Sequence, residues 1–376
     1  MKVLLGGIPL GCDNIGDEAI IACVVRMLRE AVAGIELTVA TADPETERRL
    51  GVSVVPPYGF AGCGLEGFSE TVGRHDAYVW CGATGLSDYP HVALDLVETA
   101  QKAGVATFIW GVGMDSELNS VFFKIRGRKS MLLRCFGLVG WYERRLRTRL
   151  AHRISSILPR CRGVWLRDPQ SAEMLASMGF PSAGVAADTA ILMRRLATGV
   201  PPTRHTCQAK RTLGLCISTQ RMVSDLDGVK SLIAAVRAVD GRVLGIPMNP
   251  KTDRALLEQL GVPCIEGDTP EAVIEAAAQC DVVLSSRLHL LILAANVGTP
   301  ILGIARGSKL ANWLANFNRT VDGSVYDCDW GRVTEHVLAA LKDRGDWDAV
   351  RKVAYDRLDR RLEKARDEFV KKLTSR

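Results

Sequence analysis

One stretch, DVVLSSRLHLLILAANVGTP from Asp281 to Pro300, constrains the possible folds more than any other. It opens on a short β-branched apolar run, Val282-Val283-Leu284, as expected of a strand buried in a parallel sheet. Ser285 or Ser286 then suits the cap of a helix. The spacing predicts that helix from about Arg287 to Val297, with Leu288, Leu291, Ile292 and Ala295 on one face and Gly298 and Pro300 as the stop. A strand that turns straight into a helix belongs to an open α/β sheet, whose ligands bind beyond the carboxyl ends of the strands. Arg287 and His289 fall there. Cations in a first turn oppose the helix dipole and cost roughly a few tenths of a kcal/mol. A bound anion reverses that sign, because it meets free N–H groups, the dipole and two basic side chains together. A surface Arg beside a His satisfied within the fold is the plainer alternative.

The same alternation runs along the chain. Strands are expected at Lys2–Gly6, Ile35–Thr41, Ala77–Cys81, Ala106–Trp110, Gly163–Arg167 and Gly184–Ala187. The Pro-rich, aperiodic stretch LATGVPPTRHTCQAKR reads as a linker over 196–211. Strands resume at Thr212–Ser218, Arg242–Pro247, Asp281–Ser285 and Ile301–Ala305, each trailed by a helical pattern. A chain of 376 residues is long enough for two cores. The expected class is α/β: two Rossmann-like doubly wound domains, 1–195 and 212–345, facing a cleft. A long charged helix over 346–376 is expected to pack back on the first domain.

Near the start, GCDNIGDE reads as a turn into a helix from about Ile15 to Ala31. Gly16 marks close approach of another group. Asp17 and Glu18 already hold the positive helix end, so a phosphate would be repelled. A sugar hydroxyl, or a base that deprotonates one, suits the position; two acids that merely favour the dipole explain it equally. Cys81-Gly82-Ala83 ends a strand in small residues, which lets backbone N–H groups face a ligand. Gly111-Val112-Gly113 lacks the full glycine fingerprint and downstream acid of a dinucleotide site. Arg167-Asp168 suits a structural ion pair better than a catalytic unit, and Asp188 ends a short strand.

The string SSRLHLLILAANVGTPILGIARGSKLANWL resembles the C-terminal signature of the polysaccharide pyruvyl transferases, through Ser285, Arg287, Leu288, His289, Gly298, Pro300 and Lys309. Asn14, Gly16, Asp17 and Glu18 resemble that family's N-terminal N-x-G-D-E-A-I, and Arg167-Asp168 matches a family R-D pair. Cys81-Gly82-Ala83 stands where the family has three glycines, and Arg306-Gly307-Ser308 where it often has a Tyr. The resemblance implies transfer of the enolpyruvyl unit of phosphoenolpyruvate onto a sugar of a cell-surface polysaccharide or its lipid-linked precursor, as a pyruvate ketal with loss of phosphate. That belongs to exopolysaccharide or cell-wall biosynthesis. The donor's phosphate and carboxylate need Arg or Lys partners, its methylene carbon an acid, and the sugar hydroxyl a base. His289, Arg287 and Asp17 are the expected catalytic residues. Asn14, Gly16, Ser285, Ser286, Arg221, Lys309 and Gly82 are the expected substrate contacts. Phosphoenolpyruvate enters as donor substrate, with no cofactor and no metal. Two domains facing a cleft also make the GT-B-like architecture of nucleotide-sugar glycosyltransferases, which is one alternative; a non-catalytic glycan-binding relative is another.

No apolar run reaches the length of a membrane span. The 11 cysteines are scattered without a C-x-x-C pair and read as free thiols in a reducing cytoplasm, and the 6 histidines do not cluster as metal ligands. The formal charge of +6 is uneven: Val121 to Arg162 holds twelve Lys or Arg and one acid, +11, leaving −5 elsewhere. Arg144, Arg145, Arg147, Arg149 and Arg153 interleave there with Leu146, Leu150, Ile154 and Ile157 after Trp141 and Tyr142. A basic amphipathic helix over 122–162 suits peripheral association with the inner membrane face. The alternative is a helix whose leucines join the first domain's core. Nucleic acid is not expected, since no recognition motif accompanies the charge.

Overall fold

Strands too continuously apolar for a one-sided sheet become parallel strands covered on both faces. Every residue of Ala77–Cys81 and of Thr212–Cys216 is buried. The computed structural model describes residues 1–119, 138–195, 210–218 and 225–375. Most of the expected linker, residues 122–137 of the basic segment and Arg221 lie outside them.

The chain forms two units. The first comprises Met1–Cys12, Val24–Asp188 and Arg361–Arg376. Among the described residues it carries a seven-stranded parallel sheet ordered β3-β2-β1-β4-β5-β6-β7. These strands are β1 (Lys2–Gly6), β2 (Glu36–Ala40), β3 (Ser53–Val55), β4 (Ala77–Cys81), β5 (Ala106–Val112), β6 (Gly163–Leu166) and β7 (Gly184–Val185). The order is that of a Rossmann-like doubly wound sheet, reversing between β1 and β4.

The second unit comprises Asp13–Cys23 and Thr189–Arg360. Its parallel sheet runs β12-β11-β10-β8-β9. The strands are β8 (Thr212–Cys216), β9 (Arg242–Gly245), β10 (Val282–Ser285), β11 (Ile301–Ala305) and β12 (Gly323–Ser324). Here the order reverses between β8 and β10, where Ser285 lies opposite Cys216. Leu213, Leu215, Val282 and Leu284 join Val229, Leu232, Trp330 and Val333 in one buried core.

The C-terminal helix, Trp347–Thr374, ends on the first unit as expected. There Phe369 stacks on Trp110 at 5.0 Å between ring centroids and meets Phe108 edge-on at 5.3 Å. Trp165 donates to the Glu368 carboxylate at 3.3 Å. Strands β3 and β12 went unforeseen; both are edge strands, of 3 and 2 residues, too short to carry a pattern.

Candidate functional site

The strand order of the second sheet fixes where its site lies. A doubly wound sheet opens a crevice where the strand order reverses, and ligands bind there beyond the carboxyl ends. In this sheet the reversal falls at Cys216 and Ser285. The Ser286 N–H donates to the Cys216 carbonyl at 3.0 Å, and the Ser218 N–H donates to the Ser286 hydroxyl at 2.8 Å.

The helix after β10 runs Leu288–Asn296, one residue later than its spacing suggests. Arg287 itself holds the cap position in extended backbone, φ −101° and ψ 120°, and its side chain makes no capping bond. Ser285 does not cap the helix either. Its hydroxyl accepts from the Arg287 N–H at 2.8 Å and donates to the Arg287 carbonyl at 3.0 Å, locking that residue's backbone. The helix is buried on all sides except at His289, as befits one inside a unit rather than on its surface.

The Arg287 side chain is held by a residue that sequence reasoning passed over. Asp253, fully buried, accepts from Nε at 3.0 Å and from Nη2 at 2.8 Å. Burial alone would lower the Arg287 pKa; the Asp253 carboxylate, assisted by Asp17, more than offsets it and holds the guanidinium above its ordinary value. Two of the five N–H donors of Arg287 are spent on Asp253, which leaves three for a ligand. Burial, and then the Asp253 charge, push the neighbouring Cys216 thiol well up, so it stays protonated.

Asp253 ends a loop, Met248 to Asp253, that ties the site together. The Asn249 side chain accepts from the Lys251 and Thr252 N–H groups at 3.1 and 3.0 Å, and the Asn249 N–H donates to Asp253 at 2.9 Å. The Met248 carbonyl accepts from the Ile15 N–H at 3.1 Å, and Lys251 pairs with Asp13 at 2.8 Å. These bonds belong to the second unit, so the N-terminal motif lies with Arg287 and His289 rather than with the first sheet, between whose strands β1 and β2 it falls in the chain.

Gly16 is the close approach its type suggested. A Cβ there would sit 2.1 Å from His289 Nδ1, so only glycine lets the imidazole lie on this turn. Asn14 then orders the motif. Its amide donates to the Asp17 carboxylate at 2.8 Å, and its side-chain oxygen accepts from the Gly16 N–H at 3.2 Å. Asp17 is buried.

The remaining expected residues are spread more widely. Lys309 lies in the first turn of the helix Ser308–Leu314, after β11, which pairs directly with β10. Arg221 lies outside the described residues. Gly82 belongs to the first unit at φ +64°, where its N–H donates to the Trp110 carbonyl at 2.7 Å and is not offered to a ligand. In the same unit Asp168 caps the helix Pro169–Ser177 through the Ser171 N–H, and Arg167 lies between Asp168 and Asp188 at 3.4 and 3.6 Å. Among the described residues no three His, Cys, Asp or Glu side chains converge as metal ligands.

Both motifs thus meet in one place, and a sequence model of one family spans them together. The polysaccharide pyruvyl transferase model matches residues 14–308. The chain belongs to the polysaccharide pyruvyl transferase family. No curated protein sequence matches it.

Solved structures extend the comparison to the fold of this pyruvyl transferase family member. UDP-GlcNAc 2-epimerase from Neisseria meningitidis, bound to UDP-GlcNAc, superposes with a TM-score of 0.58 at 12% identity over 99% of both chains. The glycotransferase of kitacinnamycin gives 0.59 at 12% identity over 99% of this chain and 98% of its own. Spinosyn rhamnosyltransferase, complexed with thymidine diphosphate, gives 0.54 at 16% over 96% of each. At these identities the likeness is one of fold, the GT-B-like α/β plan of two parallel sheets.

Proposed function

We propose that this family member moves the enolpyruvyl unit of phosphoenolpyruvate onto a sugar of a cell-surface polysaccharide or its lipid-linked precursor, forming a pyruvate ketal and releasing phosphate. The observation that carries the reading is the seating of His289 against Gly16 of the Asn14–Asp17 turn, two residues beyond Arg287 and at the strand-order reversal of one sheet. In this reading the remaining Nη donors of Arg287 grip the anionic oxygens of one group of the donor, fixed in direction by Asp253. Because Asp253 balances the Arg287 charge, the second anionic group of the donor calls on further cations; Lys309 follows β11, which pairs with β10, and Arg221 comes after β8 in the sequence. His289 delivers a proton to the methylene carbon. Asp17, oriented by Asn14, accepts the proton of the first attacking sugar hydroxyl, and a second hydroxyl of the same sugar then replaces the phosphate, whose departing oxygen takes up that hydroxyl's proton. Ser285 and Ser286 hold the backbone from which these groups project. The reading needs no cofactor and no metal beyond the donor substrate.

A lipid-carried acceptor would place the reaction in the cytoplasm at the inner membrane face. No helix among the described residues is long and apolar enough to cross a membrane.

The fold likeness to nucleotide-sugar enzymes favours a second reading, glycosyl transfer. One experiment separates the two. The protein is incubated with phosphoenolpyruvate or with nucleotide sugars, against a panel of free and lipid-linked saccharides. Phosphate release matched by a pyruvyl mass gain on the acceptor is the expected result. Consumption of a nucleotide sugar with no phosphate released from phosphoenolpyruvate would sink the pyruvyl-transfer reading.

A further inference from the structure

The basic stretch has no part in the chemistry above. Its described portion is the helix Val139–Ile157 of the first unit, preceded by Leu138. The helix carries five arginines and one acid, Glu143, so its net charge is 5 − 1 = +4. Leu150, Ile154 and Ile157 are buried. Arg153 is turned inward as well, donating to Asp95 at 2.6 Å and lying 3.6 Å from Glu98. These contacts fix the rotation of the helix about its axis. Leu138, Trp141, Arg145, Arg149 and His152, spaced three or four residues apart, therefore share the opposite face. Leu138 is 43% exposed and Trp141 50%. Arg144, Arg145, Arg147 and Arg149 are all exposed, and the Arg145 guanidinium stands over the Trp141 ring at 5.5 Å.

We propose that this face, Leu138 and Trp141 with Arg144, Arg145 and Arg149, is an interfacial surface that lies flat on an anionic phospholipid membrane. The pairing of outward apolar groups with arginines on one stripe is what an interface between headgroups and acyl chains rewards. The indole sits at headgroup depth while the guanidinium groups meet lipid phosphates. Duplex nucleic acid would answer the arginines but gives Leu138 nothing to bury against. The inference does not rest on the pyruvyl-transfer reading, because binding to vesicles is measured without turnover.

The test sediments the full-length protein with vesicles of phosphatidylcholine, alone or mixed with phosphatidylglycerol. Salt is set at about 0.1 M or about 1 M, where charges act over about 10 Å or about 3 Å. Anionic vesicles are expected to pellet the protein at low salt, neutral vesicles to leave it in solution, and high salt to release it. The triple variant R144Q/R145Q/R149Q should partition on the order of 100-fold less, since each arginine near such a surface contributes on the order of five-fold. Trp141→Ala should weaken binding at both salt concentrations, and all variants should unfold at the wild-type temperature. Three results overturn the proposal: wild type that stays in solution with anionic vesicles at low salt, a triple variant that pellets like wild type, or tighter binding to duplex DNA with Trp141→Ala unchanged.

Discussion

Asp253 grips Arg287 edge-on, through parallel bonds of 3.0 Å to Nε and 2.8 Å to Nη2. The acid is fully buried, whereas the arginine side chain keeps 18% exposure toward the site. Removing the arginine therefore strands a buried carboxylate. Arg287→Ala should abolish turnover and also destabilise the protein by about 3–5 kcal/mol, read by urea unfolding. Pairing Arg287→Met with Asp253→Leu should recover much of that stability and none of the activity. An Arg287→Ala protein as stable as wild type would mean that Asp253 is not held as described.

Asp253→Asn separates geometry from charge. The variant makes the site more positive while releasing the guanidinium from its fixed direction. Affinity for phosphoenolpyruvate should hold or tighten, and kcat should fall by about 10–100-fold. Equilibrium binding and steady-state kinetics together check it; weakened binding with unchanged kcat would contradict the positioning role.

Gly16→Ala tests the contact with His289. Alanine suits a helical turn better than glycine by about 1 kcal/mol, but its Cβ would lie 2.1 Å from the imidazole. The ring must move, so kcat should drop by about 100-fold or more, with both substrates still bound. In a double-mutant cycle, adding His289→Ala should relieve the clash and recover thermal stability. Full activity in Gly16→Ala would show that the imidazole has freedom to shift.

His289→Asn distinguishes a proton donor from an anchor. If His289 protonates the methylene carbon, kcat falls and KM changes little. A raised KM with intact kcat would make it a binding residue.

Phe369→Ala addresses stability alone. Its ring fills the contact among Phe108, Trp110 and Trp165. The loss should be about 3–5 kcal/mol, with kcat unchanged at a temperature where the variant remains folded.

The strands were legible wherever burial on both faces wrote a continuous apolar run, as at Val282–Leu284 and Ala77–Cys81. Gly16 announced a close approach, but its partner, far along the chain, left no local trace. Asp253 was illegible for a different reason. An acid opening a helix looks like a dipole residue, and only the tertiary pair with Arg287, 34 positions away, gives it another task. The late helix start has a local cause, because the Ser285 hydroxyl holds Arg287 in extended backbone at the cap position. For the basic helix the sequence posed core and surface as alternatives. Leu150 and Ile154 do join the core, while Arg144, Arg145 and Arg149 stay exposed.

Gly16 and His289 stand 289 − 16 = 273 residues apart, so their contact has a place in time as well as in space. During synthesis the Asn14–Asp17 turn leaves the ribosome among the first segments. Its partners Met248, Lys251 and His289 emerge long after the strands of the first sheet. Loop-closure entropy rises only slowly with length, so the delay costs little stability, but contacts this distant form late. A nascent chain stopped before β10 therefore carries strands β1 to β7 of the first sheet and no assembled site. The Gly16–His289 contact is a property of the finished polypeptide, and a copy terminated before His289 lacks it altogether.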